Sequence, residues 1–221
     1  DRVKGAKSVQ IKNDFGMSYF SLFKGGKLKN VNIAYETWGK LSINKDNAIL
    51  VFTGLSPSSH AASSSENPDI GWWEYMIGKN KPIDTNKFFV VSSNNLGGCG
   101  VSTGPTIPNP KSQKPYGSDF PAVLVKDWVN SQKLLAEELE ITRWLAVIGG
   151  SLGGMQAMQW AIDHPEQVGH AVVIASAAKL TAQNIAFNEL AREAITSDPN
   201  FRSGDYLESH TQPNKGLMLA R

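Results

Sequence analysis

The sequence predicts an α/β fold built on a mostly parallel sheet. Short apolar runs alternate with amphipathic helical segments along most of the chain. The runs are apolar on both faces, as strands buried inside a parallel sheet are. Because strand and helix alternate, the sheet is expected to have helices on both faces. The length of 221 residues fits one main domain.

The elements follow one another in a regular order. The predicted strands occupy residues 31–36, 47–54, 87–92, 144–148 and 170–175. The first alternates apolar and polar residues, whereas the second (NAILVFTG) is a continuous apolar run. Apolar residues spaced three and four apart predict helices over 125–139 and 152–163.

The last part of the chain has a different pattern. From Leu180 onward helical segments follow one another without a strand, and the last of them covers 215–221. We therefore expect an incomplete α/β core over residues 1–178, with late strands absent, and the beginning of a helical cap over 179–221. Since the chain starts without Met and stops inside a predicted helix, we expect it to be a piece of something longer.

Composition excludes several classes of function. Lys and Arg number 22 against 20 Asp and Glu, so the net charge of +2 offers no basic field for nucleic acid. A single Cys excludes a disulfide framework and a cysteine-based zinc site. No apolar run is long enough to span a membrane, and no signal-peptide pattern opens the chain. We expect a cytoplasmic protein without membrane, nucleic-acid or metal partners.

The strongest motif is G-x-S-x-G, formed by Gly149, Ser151 and Gly153 between a predicted strand and a predicted helix. A serine at the tip of such a turn is strained, and glycine on either side lets the neighbouring backbones pass closely. The helix then directs its N-terminus at the serine. This pattern predicts a nucleophilic serine. A phosphate-binding loop is disfavoured because no Lys lies nearby and residues 97–100 lack a complete G-x-G-x-x-G.

A serine nucleophile that forms an oxyanion needs two backbone donors. The first is the N–H of Leu152, the residue after the serine. The second is expected in the loop after an early core strand, which is residues 53–60 (TGLSPSSH), and Leu55 is our candidate there. The alternative is that this loop is a plain surface turn.

The base that would activate Ser151 is not evident in the sequence. In this arrangement an acid and then a histidine follow the serine, each at the end of a late strand. The histidines after Ser151 are His164, His170 and His210, and the candidate acids are Asp163, Asp198 and Asp205. All six lie at helical, strand-start or cap positions, and His60 is interpreted as a loop histidine. We therefore expect the acid and base outside this chain, and the chain alone to be inactive.

Several longer segments resemble the homoserine O-acyltransferases of the α/β-hydrolase superfamily. They are residues 34–39 (AYETWG), 71–74 (GWWE), 78 with 81–85 (KPIDT), 95–99 (NLGGC), 114–121 (KPYGSDFP), 148–156 (IGGSLGGMQ) and 182–189 (AQNIAFNE). Because the segments are spread over nearly the whole chain, the resemblance is more specific than G-x-S-x-G alone.

The resemblance implies a ping-pong transfer for methionine biosynthesis. Ser151 would take an acyl group from acyl-CoA, the co-substrate, and pass it to the hydroxyl of L-homoserine, with Leu55 and Leu152 as oxyanion donors. Arg221, in the segment 216–221 (GLMLAR), would bind the substrate carboxylate. No tightly bound cofactor is implied, and the full-length enzyme is expected to be a homodimer.

The identity of the acyl group and of the acceptor stays open at this stage. Acetyl is the first expectation. Succinyl is the alternative, because Leu55-Ser56-Pro57 departs from the sequence associated with the enzymes that use acetyl-CoA. Serine as acceptor, an esterase of the same fold, and a noncatalytic binding protein are further alternatives. The retained G-x-S-x-G disfavours the last, since a strained turn has no structural benefit. Cys99 is expected to be a packed residue.

Overall fold

The computed structural model describes residues 4–12, 19–98, 100–207 and 211–221, which form two compact units. The first consists of Asp1–Thr103 and Ala122–Ala177, and the second of Gly104–Pro121 and Ala178–Arg221. The division after Ala177 lies one residue from the expected end of the core. Residues 104–121, which we placed in the core, instead group with the helical second unit.

The strands of the described residues form one large sheet and two small ones. They are β1 (Lys7–Gln10), β2 (Tyr19–Ser21), β3 (Lys27–Lys29), β4 (Asn32–Trp38), β5 (Ala48–Phe52), β6 (Ile77–Gly78), β7 (Ile83–Asp84), β8 (Phe89–Ser93), β9 (Trp144–Gly150) and β10 (Val168–Ile174). The large sheet has the order β1-β4-β8-β5-β9-β10. Its first two pairings are antiparallel and the other three parallel. The predicted α/β class and mostly parallel sheet are confirmed.

Two helices pack on one face of this sheet. They are α1 (Val125–Glu138) and α2 (Leu152–Asp163), both within one residue of the predicted ends. Asp127 fixes the start of α1, because its carboxylate accepts from the backbone N–H of Leu124 at 2.8 Å and from that of Phe23 at 2.8 Å. Phe52 of β5 contacts Trp160 of α2, with ring centroids 6.3 Å apart.

A loop-rich segment covers the other face. Ala61, Ala62, Ile77 and Ile83 pack with Ile49, Val51 and Ile148 of the sheet. Among the described residues of the first unit, this segment lies on the face opposite to α1 and α2. The hydrophobic core of the first unit continues from one face of the sheet to the other, because β5 is buried on both faces over its whole length.

The second unit is helical, with α3 (Ala182–Thr196), a 3-10 turn (Arg202–Leu207) and α4 (Asn214–Ala220). Asp198 follows α3, and its carboxylate accepts from the backbone N–H of Gly216 at 2.9 Å. Gly216 packs so closely that a Cβ there would lie 2.3 Å from the carbonyl oxygen of Ala194. Ser203 and Gly204 have positive φ, so regular helix is interrupted at this pair.

Candidate active site

Ser151 stands at the turn between β9 and α2 in a strained conformation. Its φ is 55° and its ψ is −119°, a combination that L-residues rarely adopt and that costs about 1–3 kcal/mol. The side chain is exposed, and the backbone N–H donates to the carbonyl of Ile174 at 3.0 Å. Strain held at an exposed serine is typical of a functional turn.

The structure has no room for a Cβ atom at Gly149 or at Gly153. A Cβ on Gly149 would lie 2.2 Å from the carbonyl carbon of Gly153, and a Cβ on Gly153 would lie 2.6 Å from the carbonyl oxygen of Phe52. Gly150 differs, since the nearest atom to its Cβ would be the oxygen of Ile174 at 3.9 Å. The G-x-S-x-G pattern therefore reflects two close backbone contacts. In one, Gly149 at the end of β9 meets Gly153 of α2, and in the other, Gly153 meets Phe52 at the end of β5.

The N-terminus of α2 lies directly beneath the serine. Leu152 is the first residue of the helix, where the backbone N–H has no partner within the helix. The backbone N–H groups of Gly154 and Met155 donate to the carbonyl of Ser151 at 3.0 and 3.2 Å. The N–H of Leu152, which has no partner within the helix, and the helix dipole both favour negative charge at this turn.

The 53–60 loop leaves the sheet beside the same turn. Phe52, the last residue of β5, pairs in register with Gly149 of β9, so both strands end at one edge of the sheet. Leu55 lies three residues further and is 80% exposed. The side-chain amide of Asn95 donates to the carbonyl of Gly54 at 3.4 Å. Because that carbonyl belongs to the same trans peptide as the N–H of Leu55, the two groups point in opposite directions.

Buried polar side chains line this edge of the sheet. Thr53, Ser92, Ser93, Asn94 and Asn95 are all buried. Within the described residues each has a buried side-chain oxygen without a hydrogen-bond partner. Sequence reasoning missed this cluster, although an Asn-Asn pair directly after an apolar strand is a usable signal. Buried acceptors left unpaired are costly, which favours a polar environment at this edge.

His60 is the last residue of the loop, and both of its ring nitrogens have hydrogen-bond partners. Its Nδ1 lies 2.8 Å from Oε2 of Glu36, and its Nε2 lies 2.9 Å from the carbonyl oxygen of Asp69. Burial alone would lower the pKa of His60, but the hydrogen bonds to Glu36 and Asp69 and the attraction of Glu36 together raise this pKa above its ordinary value. Both ring nitrogens are occupied, so His60 has none free for a base. His60 is therefore a loop histidine, and its charged partner is Glu36.

His164 and His170 lie far from Ser151. His164 follows α2, whose 12 residues span about 18 Å, and its ring packs 5.3 Å from that of Trp160. Burial lowers the pKa of His164. His170 is at the opposite end of β10 from Ile174, about 13 Å along the strand. His210 and Cys99 lie outside the described residues.

The acids and Arg221 occupy separate places. Asp163 accepts from the side chain of Gln159 at 2.9 Å and pairs with Lys126 at 3.4 Å, whereas Asp198 caps α4. Asp205 lines a cavity of about 360 Å³ in the second unit. Arg221 is exposed after α4, in that same unit. Among the described residues no cluster of three or more metal-ligating side chains is found, and no helix there has the length and apolarity to cross a membrane.

The comparisons with known proteins agree with this geometry. Residues 47–217 match the model of the alpha/beta hydrolase fold family. The chain is 59% identical over 199 residues to a homoserine O-succinyltransferase of Hahella chejuensis, a match that covers 89% of this chain and 52% of that protein. The chain spans about half the length of the curated relatives it matches.

Solved structures give the same picture. Esterase E22 superposes with a TM-score of 0.88 at 36% identity, covering 99% of this chain and 60% of that one. A homoserine O-acetyltransferase of Bacillus anthracis superposes with a TM-score of 0.87 at 32% identity, covering 99% and 59%. Strand order, serine turn and family match coincide, and the chain belongs to the alpha/beta hydrolase fold family.

Proposed function

We propose that this chain carries the nucleophile and oxyanion site of a homoserine O-acyltransferase. The observation that carries the proposal is the strained, exposed Ser151 between two close glycine approaches, on a chain 59% identical to a homoserine O-succinyltransferase. A strained turn that positions one hydroxyl above a helix N-terminus suits acyl transfer.

The proposed reaction has two steps. The Oγ of Ser151 attacks the thioester carbonyl of acyl-CoA, the C–S bond breaks, and CoA leaves as the thiol with the serine proton. The hydroxyl of L-homoserine then attacks the acyl-serine ester, and the bond to Oγ breaks as the serine recovers a proton. In both steps the N–H groups of Leu152 and Leu55 are the proposed donors to the oxyanion. Arg221 is the proposed partner of the homoserine carboxylate, which a guanidinium binds through two parallel hydrogen bonds.

Succinyl-CoA is the donor that we propose. The first eight curated relatives are all homoserine O-succinyltransferases, at 53–59% identity. The homoserine O-acetyltransferase of Bacillus anthracis is only 32% identical. This reverses our first expectation of acetyl, which rested on the commoner donor and not on the Ser56-Pro57 sequence. We propose a cytoplasmic, methionine-biosynthetic role on the same basis.

The test uses the chain alone and joined to the part of the Hahella chejuensis relative that it does not match. Both proteins receive homoserine with succinyl-CoA or acetyl-CoA, and CoA thiol and O-acylhomoserine are measured. We expect the joined protein to form O-succinylhomoserine at least tenfold faster than O-acetylhomoserine. We expect the chain alone to be slower by several powers of ten, because we find no base for Ser151 among the residues that the structure describes. Ser151→Ala in the joined protein is the control and should abolish product.

Esterase E22 supplies the second candidate function, since its structure superposes with a TM-score of 0.88. Hydrolysis and transfer differ in what attacks the acyl-serine. Rapid CoA release without homoserine, unchanged on adding homoserine, would favour a hydrolase and contradict our proposal. A faster reaction with acetyl-CoA would leave the transferase and overturn only the choice of donor.

A further inference from the structure

We infer that His60 is a positioning residue, held as a doubly protonated imidazolium against Glu36, which ties the far end of the 53–60 loop to β4. The inference rests on the proposed function, because that loop carries the N–H of Leu55. It assigns the Glu36–His60 pair to the support of the oxyanion site and leaves the chemistry itself to other groups.

The hydrogen-bond partners bear directly on the protonation of the ring. The backbone carbonyl oxygen of Asp69 can only accept, so Nε2 donates to it at 2.9 Å. Nδ1 lies 2.8 Å from Oε2 of Glu36 and 3.1 Å from the amide nitrogen of Asn67, which can only donate. We assign the Nδ1 proton to the shorter contact, the one with the buried carboxyl group of Glu36, so that both nitrogens carry a proton. The charged groups that face the ring are Glu36 on β4 and Asp69 in the following turn. Glu36 is 4% exposed, so its charge needs a partner of opposite sign.

Glu36 holds two consecutive residues of the loop. Its other oxygen, Oε1, accepts from the hydroxyl of Ser59 at 2.9 Å. Glu36 lies in the middle of β4 and pairs in register with Ser92 of β8. A single buried carboxylate in a rigid strand therefore fixes the far end of the loop.

The near end of the loop is fixed independently. The side-chain amide of Gln156 in α2 donates to the carbonyl of Thr53 at 3.2 Å, and that of Asn95 donates to the carbonyl of Gly54. Leu55 lies between this near-end anchor and the Glu36 anchor at the far end, with its side chain exposed. Its N–H is thus positioned by the anchors and not by packing of its own side chain. A misplacement of about 1 Å at such a donor can lower a rate about 10²-fold.

The first experiment measures the protonation of His60 directly in the 221-residue chain. The imidazole ¹⁵N shifts are recorded against pH, and the His60 signals are identified by their loss in His60→Asn. We expect both nitrogens protonated at neutral pH and a deprotonation midpoint above that of free histidine. Glu36→Gln should lower the midpoint. A neutral ring at neutral pH, with the proton on Glu36, would overturn the inference whether or not Glu36→Gln folds.

The second experiment measures positioning in the joined protein described above. We expect His60→Asn to lower kcat about 10- to 100-fold and to change KM for homoserine less than threefold. We expect Glu36→Gln to shift the alkaline fall of kcat to lower pH. Ser59→Ala, which removes one hydrogen bond without changing charge, is the matched control and should keep the wild-type pH profile. Unchanged kcat in His60→Asn, or an unmoved alkaline limb in Glu36→Gln, contradicts the inference. An inactive joined wild type would count against the proposed function alone, since the ¹⁵N measurement still decides the state of His60.

Discussion

The serine turn and strand β10 are neighbours, joined by the Ser151 to Ile174 hydrogen bond, yet they are packed in opposite ways. At the turn, backbone atoms approach so closely that only glycine fits at two positions. Along β10, Val172, Val173 and Ile174 remain 38–40% exposed. Among the described strands, β10 pairs with β9 alone. An apolar strand sequence therefore predicts pairing, whereas burial depends on what covers both faces and the outer edge.

The largest expected effect is at the turn. Gly149→Ala places a Cβ against the carbonyl of Gly153, which α2 cannot move aside without leaving the sheet. We expect a loss of more than about 4 kcal/mol in unfolding free energy, measured by urea titration with tryptophan fluorescence. Gly150→Ala is the matched control next to it and should change stability by less than about 1 kcal/mol. Equal effects from both substitutions would show that the turn is not limited by space.

The next effect separates a buried strand from the exposed one. Leu50 lies in the middle of β5 and is fully buried, so Leu50→Ala leaves a cavity and should cost about 2–5 kcal/mol. Val173→Ala in β10 should cost less than about 1 kcal/mol, because part of that side chain already contacts solvent. Chemical denaturation of the two variants checks the contrast. Similar losses would mean that β10 is buried in solution.

A third, smaller effect tests whether the loop-rich segment that covers the sheet contributes a stability that depends on pH. Burial alone would raise the pKa of Glu74, but hydrogen bonds from the Lys81 side chain, from the backbone N–H groups of Ser63 and Gly71 and from the Ser63 hydroxyl lower this pKa to about 2. The stabilisation is therefore complete above pH about 4.5 and is lost as pH falls towards 2. We expect Glu74→Gln to cost about 1–2 kcal/mol at pH 7 and progressively less in acid. A difference that stays constant with pH would exclude this carboxylate as the source.

The smallest effect on stability is expected at the exposed edge, with a larger effect on association. β1, at the other edge of the sheet, has the sequence KSVQ, whose lysine and polar side chains disfavour edge pairing. β10 has no such protection after His170. We expect Val173→Lys to change unfolding free energy by less than about 1 kcal/mol and to reduce self-association seen by light scattering. Unchanged scattering would show that this edge does not mediate contacts between copies.

Long periodic patterns and one short motif allowed most of the fold to be predicted. The helices at 125–138 and 152–163 followed from apolar spacing, and G-x-S-x-G located the serine turn. The strands β1, β2, β3, β6 and β7 were missed because two to four residues hold too little periodicity. The exposure of β10 was also missed, since a parallel-sheet strand and an exposed apolar edge have the same composition.

The candidate site was predictable only where its chemistry is local in sequence. Ser151, Leu152 and Leu55 follow from a motif and its neighbouring loop. Glu36 and His60 are 24 residues apart, and no local pattern links a carboxylate on a strand to a loop histidine. Whether a histidine is a base or a fixed donor depends on which acceptors surround it, and only three-dimensional structure supplies that information.

The paired indoles beside the 53–60 loop give it an intrinsic optical signal. Trp72 and Trp73 stack with ring centroids 5.4 Å apart and planes 13° from parallel, and Nε1 of Trp72 donates to the carbonyl of Ser58 at 3.0 Å. Two indoles at this separation couple their strong far-ultraviolet transitions, so far-ultraviolet circular dichroism should contain a paired positive and negative band. Any movement of Ser58 would change the stacking and alter that band without an added label.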